Sequence, residues 1–242
     1  MASIPQHIVR ELAPTGVLRA AINFGNSVLA QRREGSDEPA GVSADLAREV
    51  GERIARPVRF VPYETAGDVA KSATDDVWDI AFLAIDPHRA DTIGFTEPYV
   101  AIEGTYVVRS PSALRIVTDV DRAGIRIAVG AGSAYDLFLS RSIRNAEIVR
   151  APGSAAALEM FWNEGIEVGA GVRQPLEKFA AEHPGLRVFE EAFMSIRQAI
   201  AIPKGRGVAL PYLDAFLREM KASGFVASAL ARSGHSQVTI PP

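Results

Sequence analysis

The first hundred residues alternate between apolar segments and segments with helical periodicity. Apolar segments at 17–23, 56–63 and 77–85 predict strands, and the last, with almost no polar residue, predicts a strand buried on both faces. After the first strand, apolar residues recur four apart in a segment that predicts a helix with Ser43 as its N-cap. Strands and helices in alternation are typical of parallel α/β sheets.

The alternation of strand and helix segments starts again after the segment 104–110, so the sequence predicts two α/β series. Strands are predicted at 124–130, 146–151 and 197–205, helices at 133–143, 154–164, 209–223 and 224–234, and further segments of the series at 167–172, 175–183 and 186–190. The polar stretch 30–41, which contains Gly and Pro, predicts a surface loop.

Composition narrows the possible partners. The chain has 242 residues, 48% of them hydrophobic, which is enough to bury a core. Its net charge is -3, so it offers no basic surface for nucleic acid. The absence of cysteine excludes disulfides and thiolate metal sites, and the four histidines lack metal-ligand spacing, so we expect no metal or cofactor. No apolar run is long enough to span a membrane, so we expect no membrane insertion.

The amino terminus lacks a charged start followed by an apolar run, as an export signal would have. We therefore expect a cytoplasmic protein if the chain is complete, and a periplasmic one if a signal peptide has been removed.

Several motifs occur in an informative order. "GVSADLAREVGERI" carries Gly41, Asp45 and Leu46, "WDIAFLAIDPHRADTIGFTEPYV" joins a strand to an arginine-containing turn, "VGAGSAYD" follows a later strand, and "AIAIPKG" closes the series. In this order the chain resembles the family 3 solute-binding proteins of bacterial amino-acid ABC transporters.

The resemblance implies a type II periplasmic-binding-protein fold, in which two α/β lobes joined by two hinge crossings hold a ligand between them. The first lobe would comprise residues 1–103 and 201–242, and the second would comprise 104–200. The crossings would lie near 101–106 and 198–202, and the lobes would close on the ligand as rigid bodies.

In the family, the arginine at the position of Arg89 binds the ligand's carboxylate through its two parallel N–H groups. Asp86, where the family has threonine, is interpreted as a cap ahead of Pro87 in preference to a contact with a ligand amine. Ser133, after Gly132, would offer a hydroxyl and backbone N–H groups to an anion, and it would also serve as a plain N-cap.

The chain departs from the family where an aspartate normally pairs with the ligand's ammonium. Arg173 or, with a shift of one residue, Val172 stands there, which favours a ligand with a second negative group. Ala84 replaces a hydroxyl residue but keeps its backbone N–H. The predicted ligand-binding residues are Arg89, Ser133, Ala84, Phe82, Arg173, Asn23, Phe24, Asn26, Asp86 and Gly132.

Two functions remain open. We favour a monomeric binding protein for a small anionic or amino-acid-like ligand, which acts in transport with an ABC transporter permease or in sensing. The alternative is a lyase resembling cyclohexadienyl dehydratase, for which Asp86 or Glu103 would supply the acid or base. No residue set in the sequence requires catalysis.

Overall fold

A computed structural model describes residues 4–33, 35–36 and 38–242. The chain forms two compact units, the first comprising Met1–Ala101 and Arg197–Pro242 and the second Ile102–Ile196. The unit boundaries thus fall at 101/102 and 196/197, whereas the sequence placed them at 103/104 and 200/201.

The secondary structure follows the predicted alternation. In chain order, the strands are β1 (Leu18–Asn23), β2 (Gln31–Arg32), β3 (Pro39–Ala40), β4 (Val58–Tyr63), β5 (Ile80–Ala84), β6 (Ile93–Phe95), β7 (Val100–Arg109), β8 (Arg126–Gly130), β9 (Glu147–Ala151), β10 (Val168–Val172), β11 (Leu186–Val188) and β12 (Met194–Pro203). The α-helices are α1 (Gln6–Leu12), α2 (Val42–Arg53), α3 (Ala66–Lys71), α4 (Ala134–Ser142), α5 (Ser154–Asn163), α6 (Arg173–Glu182), α7 (Leu210–Ala222) and α8 (Phe225–Arg232).

The sheet of unit 1 has the order β4-β1-β5-β12, with β6 also paired to β12. β1 is parallel to both β4 and β5, while β12 returns antiparallel to β5. Every residue of β5 is buried, as its continuous apolar sequence predicts for a strand covered on both faces. Trp78, Leu83 and Ile93 lie in the core that packs α3 against this sheet.

The sheet of unit 2 has the order β7-β10-β8-β9, with β11 paired to β7. β10, β8 and β9 are parallel, and β7 is antiparallel to β10. Phe161 of α5 and Leu176 and Phe179 of α6 pack on this sheet in a second core. Each unit therefore has its own hydrophobic core, as independent α/β units require.

A buried ionic cluster fixes the amino-terminal end of β1 in unit 1. The carboxylate of Asp79, whose side chain is fully buried, accepts hydrogen bonds from the backbone N–H, Nε and Nη2 of Arg19 at 2.8, 3.0 and 2.7 Å. Arg206 also pairs with Asp79 and with Asp76. The hydrogen bond to Asp79 is the main reason that the pKa of Arg19 is raised.

Two local predictions were wrong. Gly41, and not Ser43, is the N-cap of α2, and the Ser43 hydroxyl lies 3.1 Å from the Tyr99 hydroxyl in the core. The stretch 30–41 is not entirely loop, because Gln31–Arg32 and Pro39–Ala40 pair as a short antiparallel ladder. No helix in the described part of the chain is both long and apolar enough to cross a membrane.

Candidate functional site

Topology gathers the predicted residues of unit 1 at one edge of its sheet. β1, β4 and β5 run parallel, so their carboxyl ends, at Asn23, Tyr63 and Ala84, meet at the same edge. Asp86 and Arg89 follow Ala84 directly in the chain. The carboxyl edge of parallel strands is where open α/β sheets usually bind ligands.

Arg89 is a buried cation at this edge. It begins a short 3₁₀ turn (Arg89–Asp91) and is only 3% exposed. Its Nη1 donates a hydrogen bond to the Ala84 carbonyl at 3.1 Å. Burial lowers the pKa of Arg89 to about 10, and the charge of Asp86 acts in the opposite direction. The guanidinium therefore stays charged at neutral pH in a site where its charge is desolvated, which is typical of a binding site for an anion.

Asp86 shapes the turn that carries Arg89. Its Oδ1 accepts a hydrogen bond from the backbone N–H of His88 at 2.9 Å, and its carbonyl accepts one from Ala90 at 3.0 Å. The prediction that Asp86 is the N-cap is not confirmed, because His88 is the N-cap of this 3₁₀ turn and Asp86 accepts its hydrogen bond in the segment that leads into the turn.

The segment after β1 forms a tight loop against β4. The Asn23 Oδ1 accepts a hydrogen bond from the Gly25 N–H at 3.0 Å, and the Phe24 N–H donates to the Tyr63 carbonyl at 2.9 Å. A Cβ at Gly25 would lie 2.5 Å from the Glu64 carbonyl oxygen, so only glycine fits there. The Asn26 Oδ1 is buried and has no hydrogen-bond partner among the described residues, which leaves an acceptor in the predicted site.

Phe24 has a cationic neighbour that the sequence did not reveal. The guanidinium of Arg32 lies 4.2 Å from the centroid of the Phe24 ring, and Arg32 also pairs with Glu64. Arg32 belongs to the stretch that the sequence predicted to be a loop. The ring of Phe24 therefore carries a cation–π contact on one face.

Phe82 and Ala84 are the predicted residues that lie on β5 itself. Phe82 is buried, and its ring packs edge-to-face on Tyr99 at a centroid distance of 6.1 Å. Ala84 pairs with Gln198 in the sheet and gives its carbonyl to Arg89. The structure thus gives Phe82 a core contact and Ala84 a contact with Arg89, and their roles toward a ligand stay predictions.

Unit 2 has an equivalent edge at the carboxyl ends of β8, β9 and β10. Three helices begin there, α4 after β8, α5 after β9 and α6 after β10. The Tyr135 hydroxyl of α4 donates to the Ser154 Oγ of α5 at 2.8 Å. A Cβ at Gly130 would lie 2.8 Å from the backbone of Gly153 and Ser154, so glycine is required where β8 meets α5. Helix N-termini of this kind attract anions.

The loop of Gly132 and Ser133 is hydrogen-bonded to the carboxylate of Asp136, in the first turn of α4. Ser133 is the N-cap of α4, and its Oγ accepts from the Asp136 N–H at 3.1 Å, which confirms the predicted cap. The Asp136 Oδ2 accepts from the Gly132 N–H at 2.8 Å. The Gly132 N–H is therefore already engaged, and the Ser133 hydroxyl also hydrogen-bonds to the Tyr135 side chain. A role of this loop in binding an anion stays a prediction.

Asp136 connects this loop to the rest of unit 2. It is buried, and its Oδ1 accepts from Arg150 Nε at 2.9 Å and from Ser140 Oγ at 3.2 Å. Asp136 was not among the predicted site residues, although the Ser-x-x-Asp spacing of Ser133 and Asp136 is that of a capping box.

Arg173 begins α6 at the same edge, and its charge has a partner. Its Nε donates to the Glu103 carboxylate, and its Nη1 and Nη2 donate to the carbonyls of Phe189 and Glu190 at 2.9 and 2.7 Å. The prediction of a ligand with a second negative group rested on an Arg173 whose charge has no partner in the protein. That electrostatic reason does not hold, although a ligand contact by Arg173 itself stays a prediction.

Within residues 4–33, 35–36 and 38–242, no group of His, Asp and Glu side chains has the arrangement of a metal site. The carboxyl edge of unit 1 carries a buried arginine, and that of unit 2 carries three helix N-termini and an ion pair. Groups of both kinds are suited to binding a polar molecule.

Comparison with solved structures identifies the fold. The chain is similar to a mutant of the arginine-binding protein from T. maritima (21% identity, TM-score 0.79, 93% of this chain and 98% of that one). It is also similar to an amino acid ABC transporter substrate-binding protein from Streptococcus pneumoniae bound to L-arginine (16% identity, TM-score 0.79, 97% and 99%). The fold is therefore that of the type II periplasmic-binding proteins, as predicted.

A third similar structure is an ancestral amino acid-binding protein described as a precursor of cyclohexadienyl dehydratase (20% identity, TM-score 0.77, 93% and 98%). At these identities the likeness establishes the fold alone. The comparison with curated protein sequences gave no match.

The family itself is established by sequence. Residues 29–233 match the model of the bacterial extracellular solute-binding proteins, family 3, and this match covers most of the chain. The protein belongs to that family, which confirms the resemblance found in the motifs.

Proposed function

We propose that this solute-binding protein holds a small ligand by a carboxylate group and that Arg89 is the residue that binds it. The observation that carries the proposal is the burial of the Arg89 guanidinium at the carboxyl edge of the unit 1 sheet, on a turn preceded by the hydrogen bond from the His88 N–H to Asp86. A desolvated guanidinium gains most from a planar anion that accepts two parallel hydrogen bonds, and a carboxylate has this geometry.

The ligand class we propose is amino-acid-like. The Streptococcus pneumoniae relative of similar fold is bound to L-arginine. Delivery of the ligand to an ABC transporter permease, or its use in sensing, belongs to this proposal, as does a monomeric state. The stronger preference for dianionic ligands that the sequence suggested is not part of it, because Glu103 pairs with Arg173.

No observation favours the lyase alternative. Asp86 is engaged by the His88 N–H, and Glu103 is engaged by Arg173. The structural relative associated with cyclohexadienyl dehydratase is itself described as an amino acid-binding protein.

A thermal-shift panel tests the proposal. The purified protein is heated with each of the common amino acids, with mono- and dicarboxylates, and with agmatine and cadaverine, which are arginine and lysine without their carboxylate. A ligand present at 100 times its dissociation constant stabilises the folded state by about 2.7 kcal/mol. We expect stabilisation by at least one carboxylate and none by its decarboxylated counterpart.

Equal stabilisation by a ligand and its decarboxylated counterpart would contradict the proposal, as would the absence of stabilisation across the panel. Native mass spectrometry of the freshly purified protein adds an independent readout, since a retained ligand must then contain a carboxylate. Turnover of the ligand, followed by NMR, would instead support the lyase.

A further inference from the structure

The loop that follows β1 in unit 1 lies beside the turn that carries Arg89. β1 and β5 are neighbouring parallel strands that end at the same edge of the sheet, so the loop and the turn leave it one strand spacing, about 5 Å, apart. A ligand whose carboxylate is held by Arg89 therefore has the residues of this loop, Phe24 to Asn26, within reach of its other groups.

Asn26 gives an independent indication that a molecule binds at this loop. Its Oδ1 is buried and has no hydrogen-bond partner in the part of the chain that the structure describes. Buried acceptors in proteins are nearly always satisfied, so one that protein groups leave open indicates a donor on a bound molecule. The open acceptor marks the loop after β1 as part of the ligand-binding surface of unit 1.

Arg32 covers the aromatic ring of this loop. Its guanidinium lies 4.2 Å from the centroid of the Phe24 ring, which is a cation–π contact. The same guanidinium forms an ion pair with Glu64, which directly follows β4 at the same edge. The backbone holds these groups together, because the Phe24 N–H donates to the Tyr63 carbonyl at 2.9 Å and Gly25 lies directly against the Glu64 carbonyl.

The two groups that Arg32 engages are of the kinds that would attract a cationic ligand side chain. An aromatic face and a carboxylate both bind ammonium and guanidinium groups. A protein cation that already contacts one of each competes with a ligand cation for them, whereas an uncharged ligand group is not affected by this competition. The arrangement therefore disfavours ligands with a basic side chain.

The contacts of Arg32 can be removed without loss of the fold. The side chains of Arg32 and Glu64 are 61% and 72% exposed. Exposed ion pairs and exposed cation–π contacts each contribute little to stability. A substitution of Arg32 should therefore change the groups available to a ligand and leave the folded state intact.

We infer that Arg32 is a specificity-determining residue, which occupies the Phe24 ring and the Glu64 carboxylate and thereby excludes ligands with a basic side chain. The inference rests on the proposed function, because it concerns the side chain of the same carboxylate ligand. It assigns to this protein amino-acid-like ligands without a basic side chain, in contrast to the Streptococcus pneumoniae relative of similar fold, which is bound to L-arginine.

Calorimetry with L-arginine and L-citrulline tests the inference, since citrulline has the shape of arginine and an uncharged side chain. Dissociation constants are measured for the unaltered protein, for Arg32→Ala and for Arg33→Ala, the exposed neighbouring arginine, as the matched control. The unaltered protein should bind citrulline more tightly than arginine. In Arg32→Ala the ratio of the two affinities should shift by about 10-fold in favour of arginine. In Arg33→Ala it should stay within about 2-fold of the unaltered ratio.

The double variant Arg32→Ala, Phe24→Leu separates the ring from the charge. Leucine keeps an apolar side chain and removes the aromatic face, so the shift in favour of arginine should fall to about 3-fold, the share of the released Glu64. A purely structural role for Arg32 would lower the melting temperature and leave the ratio of the two affinities unchanged.

The inference is overturned if the unaltered protein binds arginine more tightly than citrulline, or if Arg32→Ala leaves the ratio unchanged. The two ideas fail separately. If neither amino acid binds while another carboxylate stabilises the protein in the thermal-shift panel, the role of Arg32 is wrong and the proposed function survives. If no carboxylate binds, both are wrong.

Discussion

Removing the Asp136 carboxylate tests whether it holds the loop of Gly132 and Ser133 in place. The variant is Asp136→Ala, which deletes the acceptor of the Gly132 N–H at 2.8 Å, of Arg150 Nε at 2.9 Å and of Ser140 Oγ at 3.2 Å. We expect a marked loss of stability, because the carboxylate is buried and accepts from three separate elements of unit 2.

The expected loss in the free energy of unfolding follows from the individual contacts of Asp136. Losing the hydrogen bonds that the Gly132 N–H and the Ser140 hydroxyl donate to Asp136 costs about 1 kcal/mol each. The ion pair with Arg150 contributes at most about 1 kcal/mol, because the Arg150 side chain is 47% exposed. We therefore expect a loss of about 3 kcal/mol in the free energy of unfolding.

Urea unfolding at pH 7, followed by circular dichroism, measures this loss. The corresponding fall in melting temperature is about 6–12 °C for a chain of this size. Ser140→Ala is the control, since it removes only the weakest of the three contacts and should cost about 1 kcal/mol. A loss below about 1 kcal/mol in Asp136→Ala would refute the assignment of Asp136 as the group that organises this loop.

Two further predictions concern the stability of each unit. Asp79→Ala should destabilise the protein by about 3–5 kcal/mol in urea unfolding, because it leaves the buried Arg19 without its main partner. Backbone N–H groups, chiefly that of Ala146, hold the pKa of Asp121 below its ordinary value. The Asp121 carboxylate therefore contributes stability above its unfolded pKa of about 4, and this contribution is lost as the pH falls through the lower folded value. Asp121→Asn should be less stable than the unaltered protein at pH 7, with a difference that shrinks toward pH 2.

Each of these two predictions has an outcome that contradicts it. For Asp79→Ala, an unfolding free energy within about 1 kcal/mol of the unaltered protein would show that Arg19 finds other partners. For Asp121→Asn, a stability difference that stays constant from pH 7 to pH 2 would show that the ionised carboxylate is not favoured by folding.

Much of the fold could be predicted because it depends on local patterns. The strand β5 is an uninterrupted apolar segment, and the cap at Ser133 is a short-range signal that neighbouring residues carry. These patterns involve only residues close together in the chain, so the elements can be predicted from the sequence alone. The order of the motifs likewise predicted the family.

The contacts that could not be predicted from the sequence join residues that lie far apart in the chain. Arg173 was interpreted as a free cation because Glu103, the group that neutralises it, precedes it by 70 residues. Arg32 was assigned to a loop, and nothing local indicated its position over Phe24. Ser43 resembled an N-cap, but its hydroxyl lies against Tyr99, a contact that only the packed core creates.

The central claim is that Arg89 binds the carboxylate of the ligand. Calorimetry with the tightest-binding carboxylate of the panel tests it on the unaltered protein, Arg89→Ala and Arg89→Lys, with Arg59→Ala, an exposed arginine on β4, as the control. We predict a loss of about 3 kcal/mol, or roughly 100-fold in affinity, for Arg89→Ala. Arg89→Lys should lose about 10-fold, because an ammonium cannot make the paired contact. An Arg89→Ala protein that melts cooperatively and binds the ligand as tightly as the unaltered protein would contradict the account.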